Sequence, residues 1–497
     1  MKYTSTRNKN VSISGISAIV QGISPDGGLF VPTEFPKITK ENIEHLCGLS
    51  YPERAAWVMN LYLDEFDYDE LLEITTKAYS TFDGDPCPLL NIDESMNMLE
   101  LWHGPTCAFK DMALTVLPYL LTKSKQKLGL NEKTLILVAT SGDTGKAALE
   151  GFKDVDGVDV IVFYPAKGVS AMQKLQMQTQ EGNNVFVAAI NGNFDDAQTA
   201  VKTVFVDKDI IAELKEKGYA LSSANSINWG RLLPQICYYV SAYCDLLTSK
   251  QIKEGGKFNV CVPTGNFGNI LACYYAMKMG IPVNKLICAS NDNNILTDFI
   301  NTGVYDTHRE FHKTISPSMD ILISSNLERL IFDILDCDDV ATKELMLKLK
   351  SDGVYKIDKK ILRAKVPFLL AGYATEEETE DGIAAASDVY DYILDPHSAV
   401  AFIVTTNYVA ETEDATPNVV VSTASPFKFP CVVSRAVNAS KVTDELKALK
   451  ELAFWTGEEI PPQIKRLDSL ERRFTSIIEK TDVKKCIFDY LGEKNGR

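Results

Sequence analysis

The chain has 497 residues, of which 45% are hydrophobic, and this length predicts two or three domains because single cores stop growing at smaller sizes. A formal net charge of −16 without any basic stripe disfavours a nucleic-acid partner, and no apolar run is long enough to span a membrane. Eleven scattered cysteines without a C-x-x-C spacing, and only five histidines, are typical of a cytoplasmic protein with reduced thiols and no zinc site.

Residues 1–80 are predicted to be mainly helical, with amphipathic stretches at 51–66 and 68–81. From about residue 89 onward, strand-like and helix-like runs alternate, which predicts an α/β fold. The strand candidates are 98–102, 135–139, 158–164, 185–190, 259–262, 285–290 and 419–422. Their nearly continuous Val, Ile and Leu residues indicate parallel strands buried on both faces, and a ligand is expected at the carboxyl ends of these strands.

Lys110 is the strongest candidate for a catalytic residue, because a turn at 104–105 delivers it to the start of an apolar helix predicted over 113–121. A helix N-terminus disfavours a cation, and burial against Phe109 and Trp102 would remove water from the amine. Both effects lower the pKa of the lysine toward the neutral amine that carbonyl chemistry requires. An ordinary surface lysine at a helix start is the simpler interpretation of this segment alone.

Two glycine-containing loops follow buried strands and precede helices, at 141–146 (SGDTGK) and at 263–269 (PTGNFGN). A strand, a loop of small residues and a helix N-terminus together form an anion site. Two such sites and an activated lysine predict a protein that holds a phosphorylated aldehyde cofactor, pyridoxal 5'-phosphate, and a substrate with its own anion. A nucleotide-binding protein is the competing interpretation, but Thr140 and Ala147 break the Walker pattern, and no G-x-G-x-x-G follows any predicted strand.

Three segments resemble the signature segments of threonine synthases, pyridoxal-phosphate enzymes of the tryptophan synthase β-like group. These segments are HGPTCAFKD at 103–111, ATSGDTGKAA at 139–148 and PTGNFGN at 263–269. The resemblance covers nearly the whole chain, and it includes an SPDGGLFVP leader at 24–32 that related dehydratases and sulfhydrylases lack. Further matching segments are 3–7, 223–231, 316–321, 395–401, 422–424 and 428–430.

The resemblance implies a fold type II enzyme, with two three-layer parallel-sheet subdomains and an additional, mainly helical N-terminal domain. We expect the N-terminal domain at 1–80, the cofactor-binding catalytic region at 81–425 and a C-terminal segment at 426–497 that packs on the large domain. The smaller subdomain, at about 104–235, is expected to be inserted into the larger one. The assembly is expected to be a monomer or a homodimer.

The resemblance also implies the last step of threonine biosynthesis, in which O-phospho-L-homoserine and water give L-threonine and phosphate. Lys110 would bind the cofactor aldehyde covalently and then move protons at the α and β carbons of the substrate. Thr423 would place its hydroxyl on the pyridine nitrogen and leave that nitrogen largely neutral. The cofactor phosphate would be held by Gly265, Asn266, Phe267 and Asn269.

The phosphate and carboxylate of the substrate need donors of their own, and polar residues of two segments are the candidates. They are Ser141, Asp143, Thr144, Asn225, Ser226, Asn228 and Arg231. Arg231 offers a planar fork that suits phosphate, although a surface arginine that caps the packing around Trp229 is the simpler interpretation of an isolated example. The roles of His397 and Lys146 stay open, and Cys107 is interpreted as a packing residue that would make the site sensitive to oxidation or alkylation.

Three alternatives to a threonine synthase are left open. A phospho-lyase would use the same cofactor and substrate but release 2-oxobutyrate and ammonia, depending on how the site holds water and protons. A serine or threonine dehydratase is disfavoured by the leader and by Arg231 with its polar neighbours. A catalytically silent, cofactor-binding or interaction protein is disfavoured by the intact Lys110.

Overall fold

The computed structural model describes residues 1–140, 142–167 and 169–495. Its strands are β1 (Lys2–Ser5), β2 (Asn8–Ser14), β3 (Phe30–Pro32), β4 (Leu89–Asp93), β5 (Met96–Glu100), β6 (Lys133–Ala139), β7 (Val158–Pro165), β8 (Val185–Ile190), β9 (Tyr219–Ser222), β10 (Phe258–Pro263), β11 (Val283–Ser290), β12 (Val304–Asp306), β13 (Val354–Lys356), β14 (Leu369–Tyr373), β15 (Asn418–Ser422) and β16 (Ile477–Ile478).

The α-helices connect these strands and cover the sheets. They are α1 (Gly15–Gln21), α2 (Lys40–Cys47), α3 (Tyr51–Tyr62), α4 (Tyr68–Tyr79), α5 (Asp111–Leu114), α6 (Leu117–Lys127), α7 (Asp143–Phe152), α8 (Ala171–Gln178), α9 (Phe194–Val206), α10 (Lys208–Glu216), α11 (Trp229–Thr248), α12 (Gly268–Met279), α13 (Ile295–Thr302), α14 (Leu327–Ile334), α15 (Asp339–Asp352), α16 (Lys359–Lys365), α17 (Glu376–Tyr390), α18 (Pro396–Thr412), α19 (Pro430–Asn438), α20 (Glu445–Thr456), α21 (Pro462–Lys465) and α22 (Val483–Asn495). Across the described ranges, none of these helices is long and apolar enough to cross a membrane.

The larger sheet has six strands in the order β14-β11-β10-β15-β5-β4. Its strands are parallel except for β4, which forms an antiparallel edge against β5. The central strands β5, β10 and β15 are buried along their whole length, which confirms the predicted parallel strands covered on both faces. The carboxyl ends of β10 and β15 therefore lie side by side, and the loops that follow them meet at one edge.

The smaller sheet has five parallel strands in the order β16-β8-β7-β6-β9. Strands β6 to β9 occur in the chain between β5 and β10, so one α/β unit interrupts the strand sequence of the other. All the strand candidates predicted from the sequence are strands, and β8 has the predicted bounds. The domain boundaries near residues 80, 104, 235 and 425 stay predictions.

The N-terminal region contains the predicted helices but also a sheet that the sequence analysis did not anticipate. Helices α3 and α4 confirm the two amphipathic stretches, and each begins with a capping box, Ser50 with Glu53 and Asp67 with Glu70. Strands β1, β2 and β3 form an antiparallel sheet in the order β2-β1-β3. This sheet holds the end of the leader segment at β3 next to the start of the chain.

The C-terminal segment divides its packing between the two sheets. Helices α19 and α20 contribute Val433 and Leu449 to the core beneath the larger sheet. The prediction that the whole segment packs on the large domain is wrong for its end, because β16 pairs with β8 of the smaller sheet and α22 packs Ile487 against that sheet's core. A strand of two residues completes an open sheet edge, and it is too short to be recognised from its sequence.

Candidate active site

Lys110 immediately precedes α5, at the end of a compact turn that begins at Gly104. A Cβ atom at Gly104 would lie 2.5 Å from Cβ of Asp111, so the close approach of these two backbone segments requires glycine. The Asp111 carboxylate closes the turn, because it accepts hydrogen bonds from the backbone N–H of Thr106 at 2.8 Å and from its hydroxyl at 2.6 Å. Burial raises the pKa of Asp111 to about 6. The turn therefore fixes the backbone that carries the lysine.

The amine of Lys110 is buried and has two polar neighbours. Its Nζ lies 3.3 Å from the Ser318 hydroxyl and 3.5 Å from Oδ2 of Asp143, and the ring of Phe109 lies 4.8 Å away. Burial lowers the pKa of Lys110, the charges of Lys428 and Arg231 lower it further, and Asp143 opposes the change. The predicted lowering is therefore present, and its leading cause is loss of water.

Asp143 lies between two lysines rather than in a pocket of free donors. Its Oδ1 lies 2.8 Å from Nζ of Lys428 and accepts a hydrogen bond from Gln173 at 3.1 Å, while the Ser318 hydroxyl donates to Oδ2 at 3.2 Å. Although burial raises the pKa of Asp143, Lys428 and Lys110 outweigh it and hold that pKa well below its usual range. A permanently charged carboxylate at this position orients the Lys110 amine, and its geometry does not favour the predicted role in binding a substrate anion.

The loop predicted to hold the cofactor phosphate leads into α12, and two of its residues have special backbone requirements. A Cβ atom at Gly265 would lie 2.7 Å from the carbonyl oxygen of Ser318, and Phe267 has a left-handed backbone with φ of 62°. Asn266 accepts hydrogen bonds at its carbonyl oxygen from the backbone and side-chain nitrogens of Asn326, both at 3.1 Å. The loop is therefore held from outside by the segment that contains Ser318 and Asn326.

Asn269 presents an unused donor at the start of α12. Its Oδ1 accepts hydrogen bonds from the hydroxyls of Tyr238 and Tyr239, which fixes the orientation of the amide. Its Nδ2 is buried and has no hydrogen-bond partner in the described parts of the chain. A buried donor beside a helix N-terminus fits an anionic group such as a cofactor phosphate.

Thr423 follows β15 and faces the lysine turn from the other side. Its backbone carbonyl accepts a hydrogen bond from Phe109 at 2.8 Å, and its backbone N–H donates to the hydroxyl of Ser398 at 3.0 Å. Its own side chain is buried, and the hydroxyl makes no hydrogen bond within the ranges that the structure describes. The residues predicted to contact the aldehyde, phosphate and pyridine ends of pyridoxal phosphate thus occupy loops at neighbouring strand ends.

Arg231 is a buried cation that has no carboxylate within ion-pair distance among the described residues. Its exposed fraction is 5%, and its Nη1 donates to the carbonyl oxygen of Ala224 at 2.7 Å. Burial lowers the pKa of Arg231 to about 10. A charge that is desolvated and unpaired is favourable only when an anion joins it. The structure therefore rules out the simpler interpretation of Arg231 as a surface residue.

The other residues predicted to bind the substrate differ in whether their polar groups are free and exposed to solvent. Asn228 uses both ends of its amide, because Oδ1 accepts from Gly230 at 2.9 Å and Nδ2 donates to Ile19 at 3.0 Å, so it caps α11 and ties that helix to α1. Asn225 is exposed, whereas Thr144 and Ser226 are half-buried. Ser141 lies outside the described residues.

Sequence reasoning did not assign functional roles to Ser318, Lys428 and Arg329. Arg329 is fully buried and donates to the carbonyl oxygens of Phe30 at 3.0 Å and Ile227 at 2.7 Å, and it also bonds Asn326. Arg329 therefore connects the leader segment, the loop before α11 and Asn326, which holds the loop at 263–269. Ser318 and Lys428 lie in the segments 316–321 and 428–430, which resemble threonine synthases. The resemblance therefore marked these two residues, but it did not indicate what they do.

Two of the residues with open roles have structural explanations. Lys146 donates to Glu150 at 2.8 Å and to Gln180 at 2.6 Å, so its buried charge is already paired. Cys107 is buried with a left-handed backbone, φ of 57°, and burial raises the pKa of its thiol to about 12. Burial and a raised thiol pKa both slow the reactions of a cysteine, so they argue against the expected sensitivity of the site to oxidation or alkylation at Cys107.

Comparisons with known proteins assign the chain to a family. Three family models match: threonine synthase N terminus at residues 2–79, pyridoxal-phosphate dependent enzyme at 98–356, and threonine synthase C-terminal at 398–487. A threonine synthase of Saccharomyces cerevisiae is 35% identical, with 97% of this chain and 96% of the yeast protein covered. A pyridoxal-phosphate-bound threonine synthase from Brucella melitensis has a similar structure, with a TM-score of 0.87, 36% identity and 99% of each chain covered.

The human protein named threonine synthase-like 1 is 39% identical over 95% of this chain, but the match spans only 64% of the human protein. The fold and the central family model define an enzyme of fold type II that depends on pyridoxal phosphate. The flanking family models and the full-length relatives are more specific. The chain belongs to the threonine synthase family.

Proposed function

We propose that the protein is a threonine synthase that converts O-phospho-L-homoserine and water into L-threonine and phosphate. The observation that carries this proposal is Arg231, a buried guanidinium that has no ion-pair partner in the described part of the chain and lies close enough to Lys110 to lower the pKa of its amine. Its planar fork matches a phosphate that must be held while it leaves the substrate. The hydroxyl substrates of serine and threonine dehydratases contain no such group.

The residues at the site divide the work between holding the cofactor and moving protons. Lys110 would bind the cofactor, which supplies an electron sink for charge that develops at the substrate carbons. Burial favours the neutral amine of Lys110, which can therefore accept the protons that leave the α and β carbons and return protons to the γ carbon, once the phosphate has left it, and to the α carbon, while water supplies the hydroxyl at the β carbon. Asp143 and Ser318 would keep that amine in position during both transfers.

The other proposed contacts of the cofactor come from the loop before α12 and from Thr423 after β15. The N-terminus of α12 and the free Nδ2 of Asn269 would hold its phosphate together with Gly265, Asn266 and Phe267. The Thr423 hydroxyl would bond the pyridine nitrogen at the opposite end. Thr144, Asn225 and Ser226 remain proposed donors to the substrate, whereas the bonds of Asn228 give it a supporting role. A cytoplasmic location is part of this proposal.

The experiment that tests the proposal is product analysis of purified holoenzyme given O-phospho-L-homoserine. Equal amounts of phosphate and L-threonine would support it, and the Lys110→Ala variant should release neither. Phosphate accompanied by 2-oxobutyrate would identify a phospho-lyase instead. Absence of phosphate release from holoenzyme with a normal cofactor spectrum would overturn the substrate assignment.

A further inference from the structure

Asp395 is a buried carboxylate that stands immediately before α18 and uses both of its oxygens. Oδ1 accepts a hydrogen bond from the backbone N–H of His397 at 2.9 Å and lies 2.8 Å from Nδ1 of the same residue. Oδ2 accepts from the hydroxyl of Ser398 and from its backbone N–H at 3.3 Å. An N-cap residue needs only the two backbone contacts, so the two side-chain contacts require a further explanation.

The first side-chain contact leads to the amine of Lys110. The backbone N–H of Ser318 donates to Nε2 of His397 at 3.1 Å, so Nε2 carries no proton and Nδ1 donates to Asp395. The carboxylate thereby fixes the orientation and the tautomer of the imidazole. The imidazole in turn holds Ser318, whose hydroxyl lies 3.3 Å from Lys110 and 3.2 Å from Asp143.

The second side-chain contact leads to Thr423. The hydroxyl of Ser398 donates to Asp395 and accepts a hydrogen bond from the backbone N–H of Thr423 at 3.0 Å. It also lies 3.3 Å from the hydroxyl of Ser422, the last residue of β15. The orientation of Ser398 therefore sets the position of Thr423, the residue proposed to bond the pyridine nitrogen.

We infer that Asp395 is a positioning residue that fixes both ends of the cofactor site, the amine of Lys110 through His397 and Ser318, and Thr423 through Ser398. This inference rests on the proposed function for the placement of the cofactor between Lys110 and Thr423. One carboxylate can hold both connections because it accepts hydrogen bonds at two oxygens. A neutral amide of the same shape can accept at only one.

The test compares Asp395→Asn with the wild-type holoenzyme. Asparagine is as good an N-cap as aspartate, but its NH2 group must face either His397 or Ser398, which leaves one connection unmade. We expect binding of pyridoxal phosphate to weaken about ten-fold, on the scale of one buried hydrogen bond. We also expect a displaced pH midpoint in the visible absorption of the bound cofactor. Both are measured without substrate.

The matched control is Asp338→Asn, the same substitution at the N-cap of α15, where the carboxylate accepts from the backbone N–H groups of Val340 and Ala341 and bonds no side chain among the described residues. The control should leave the affinity and the absorption unchanged. Equal behaviour of Asp395→Asn and Asp338→Asn in both measurements would overturn the inference, because Asp395 would then be a cap only.

Two further variants separate the connections and keep the test decisive if Asp395→Asn does not fold. His397→Gln should displace the pH midpoint, which reports on the Lys110 end, and Ser398→Ala should weaken cofactor binding at the Thr423 end. If neither variant changes the cofactor spectrum or affinity, the inference is wrong. A wild-type protein that releases no phosphate from O-phospho-L-homoserine would overturn the proposed function alone, since these measurements use no substrate.

Discussion

The amine of Lys428 lies 2.8 Å from Oδ1 of Asp143, and both side chains are buried. Lys428 is also fixed by a hydrogen bond to the carbonyl oxygen of Thr106 at 2.9 Å. The second oxygen of Asp143 faces Lys110, so one carboxylate is shared between the Lys428 amine and the amine that we propose binds the cofactor. This relationship sets the electrostatics of the site.

Replacing Lys428 with methionine should move the acid limb of the pH profile of kcat/KM to higher pH. Lys428 lowers the pKa of Lys110 and neutralises Asp143, so its removal raises the pKa of Lys110 through both effects. A higher pKa means that the neutral amine needed as a base forms only at higher pH. The measurement is kcat/KM across pH.

The control for this variant is Lys146→Met, which removes another buried lysine from an ion pair with Glu150. Breaking either buried pair should destabilise the protein by about 3–5 kcal/mol, measured by denaturant unfolding. Only the Lys428 variant should change the pH profile. Superimposable profiles for the wild type and Lys428→Met would contradict the role assigned to this pair.

Arg231→Lys should lower kcat/KM for O-phospho-L-homoserine without changing the spectrum of the bound cofactor. Lysine keeps the charge but loses the planar fork, and the loss of one charge-assisted hydrogen bond, about 1.5–3 kcal/mol, corresponds to roughly 10- to 150-fold. Steady-state kinetics provide the measurement. Arg435→Lys, at an exposed ion pair with Glu380, is the control and should have wild-type kinetics. An unchanged kcat/KM in Arg231→Lys would remove the support for a phosphate site there.

Asn269→Asp should weaken the binding of pyridoxal phosphate by more than about ten-fold, because an anionic oxygen replaces the free Nδ2 donor. The bonds from Tyr238 and Tyr239 to the other oxygen remain possible, and an acid in the first turn of a helix is otherwise favourable. The measurement is titration of the cofactor-free protein. Asn42→Asp, in the first turn of α2, carries the same charge change and should bind the cofactor normally. Equal affinities for the two variants would show that Nδ2 does not face the phosphate.

Cys107 should resist alkylation in the folded protein despite its position three residues before Lys110. Its pKa of about 12 leaves on the order of one thiolate in ten thousand at pH 8, whereas Cys337 is exposed. Iodoacetamide treatment followed by peptide mass spectrometry should show Cys337 labelled first and Cys107 labelled only after unfolding. Modification of both thiols at similar rates in the native protein would mean that the turn opens readily.

The predictability of the fold depended on where each strand lies in its sheet. Strand β8, which lies inside the two-residue edge strand β16, was predicted to the residue because it is a short, continuous apolar run with clear ends. The edge strands β9 and β14 were missed, since Tyr219–Ser222 has only four residues and Leu369–Tyr373 is half-buried and contains a glycine. Strand β2 is polar and partly exposed, so its sequence carries no pattern that distinguishes it from a loop.

The predictability of the candidate site depended on how far apart in the chain its members lie. Lys110 and the loop at 263–269 were recognised because a local sequence carries both the reactive group and the turn that presents it. Asp143 and Lys428 lie in different parts of the chain, and no local pattern shows that they pair. The sequence analysis therefore predicted that Asp143 binds the substrate, whereas the structure places its carboxylate between Lys110 and Lys428.

Strand β16 gives the end of the chain a protective role. Ile477 and Ile478 pair with Ala189 and Ile190 at the open edge of the smaller sheet. An unpaired parallel edge is a template for pairing with other molecules, and in this protein a later segment of the same chain covers it. During synthesis, strands β6 to β9 leave the ribosome long before residue 477, so the edge of β8 stays uncovered in the nascent chain until β16 is made.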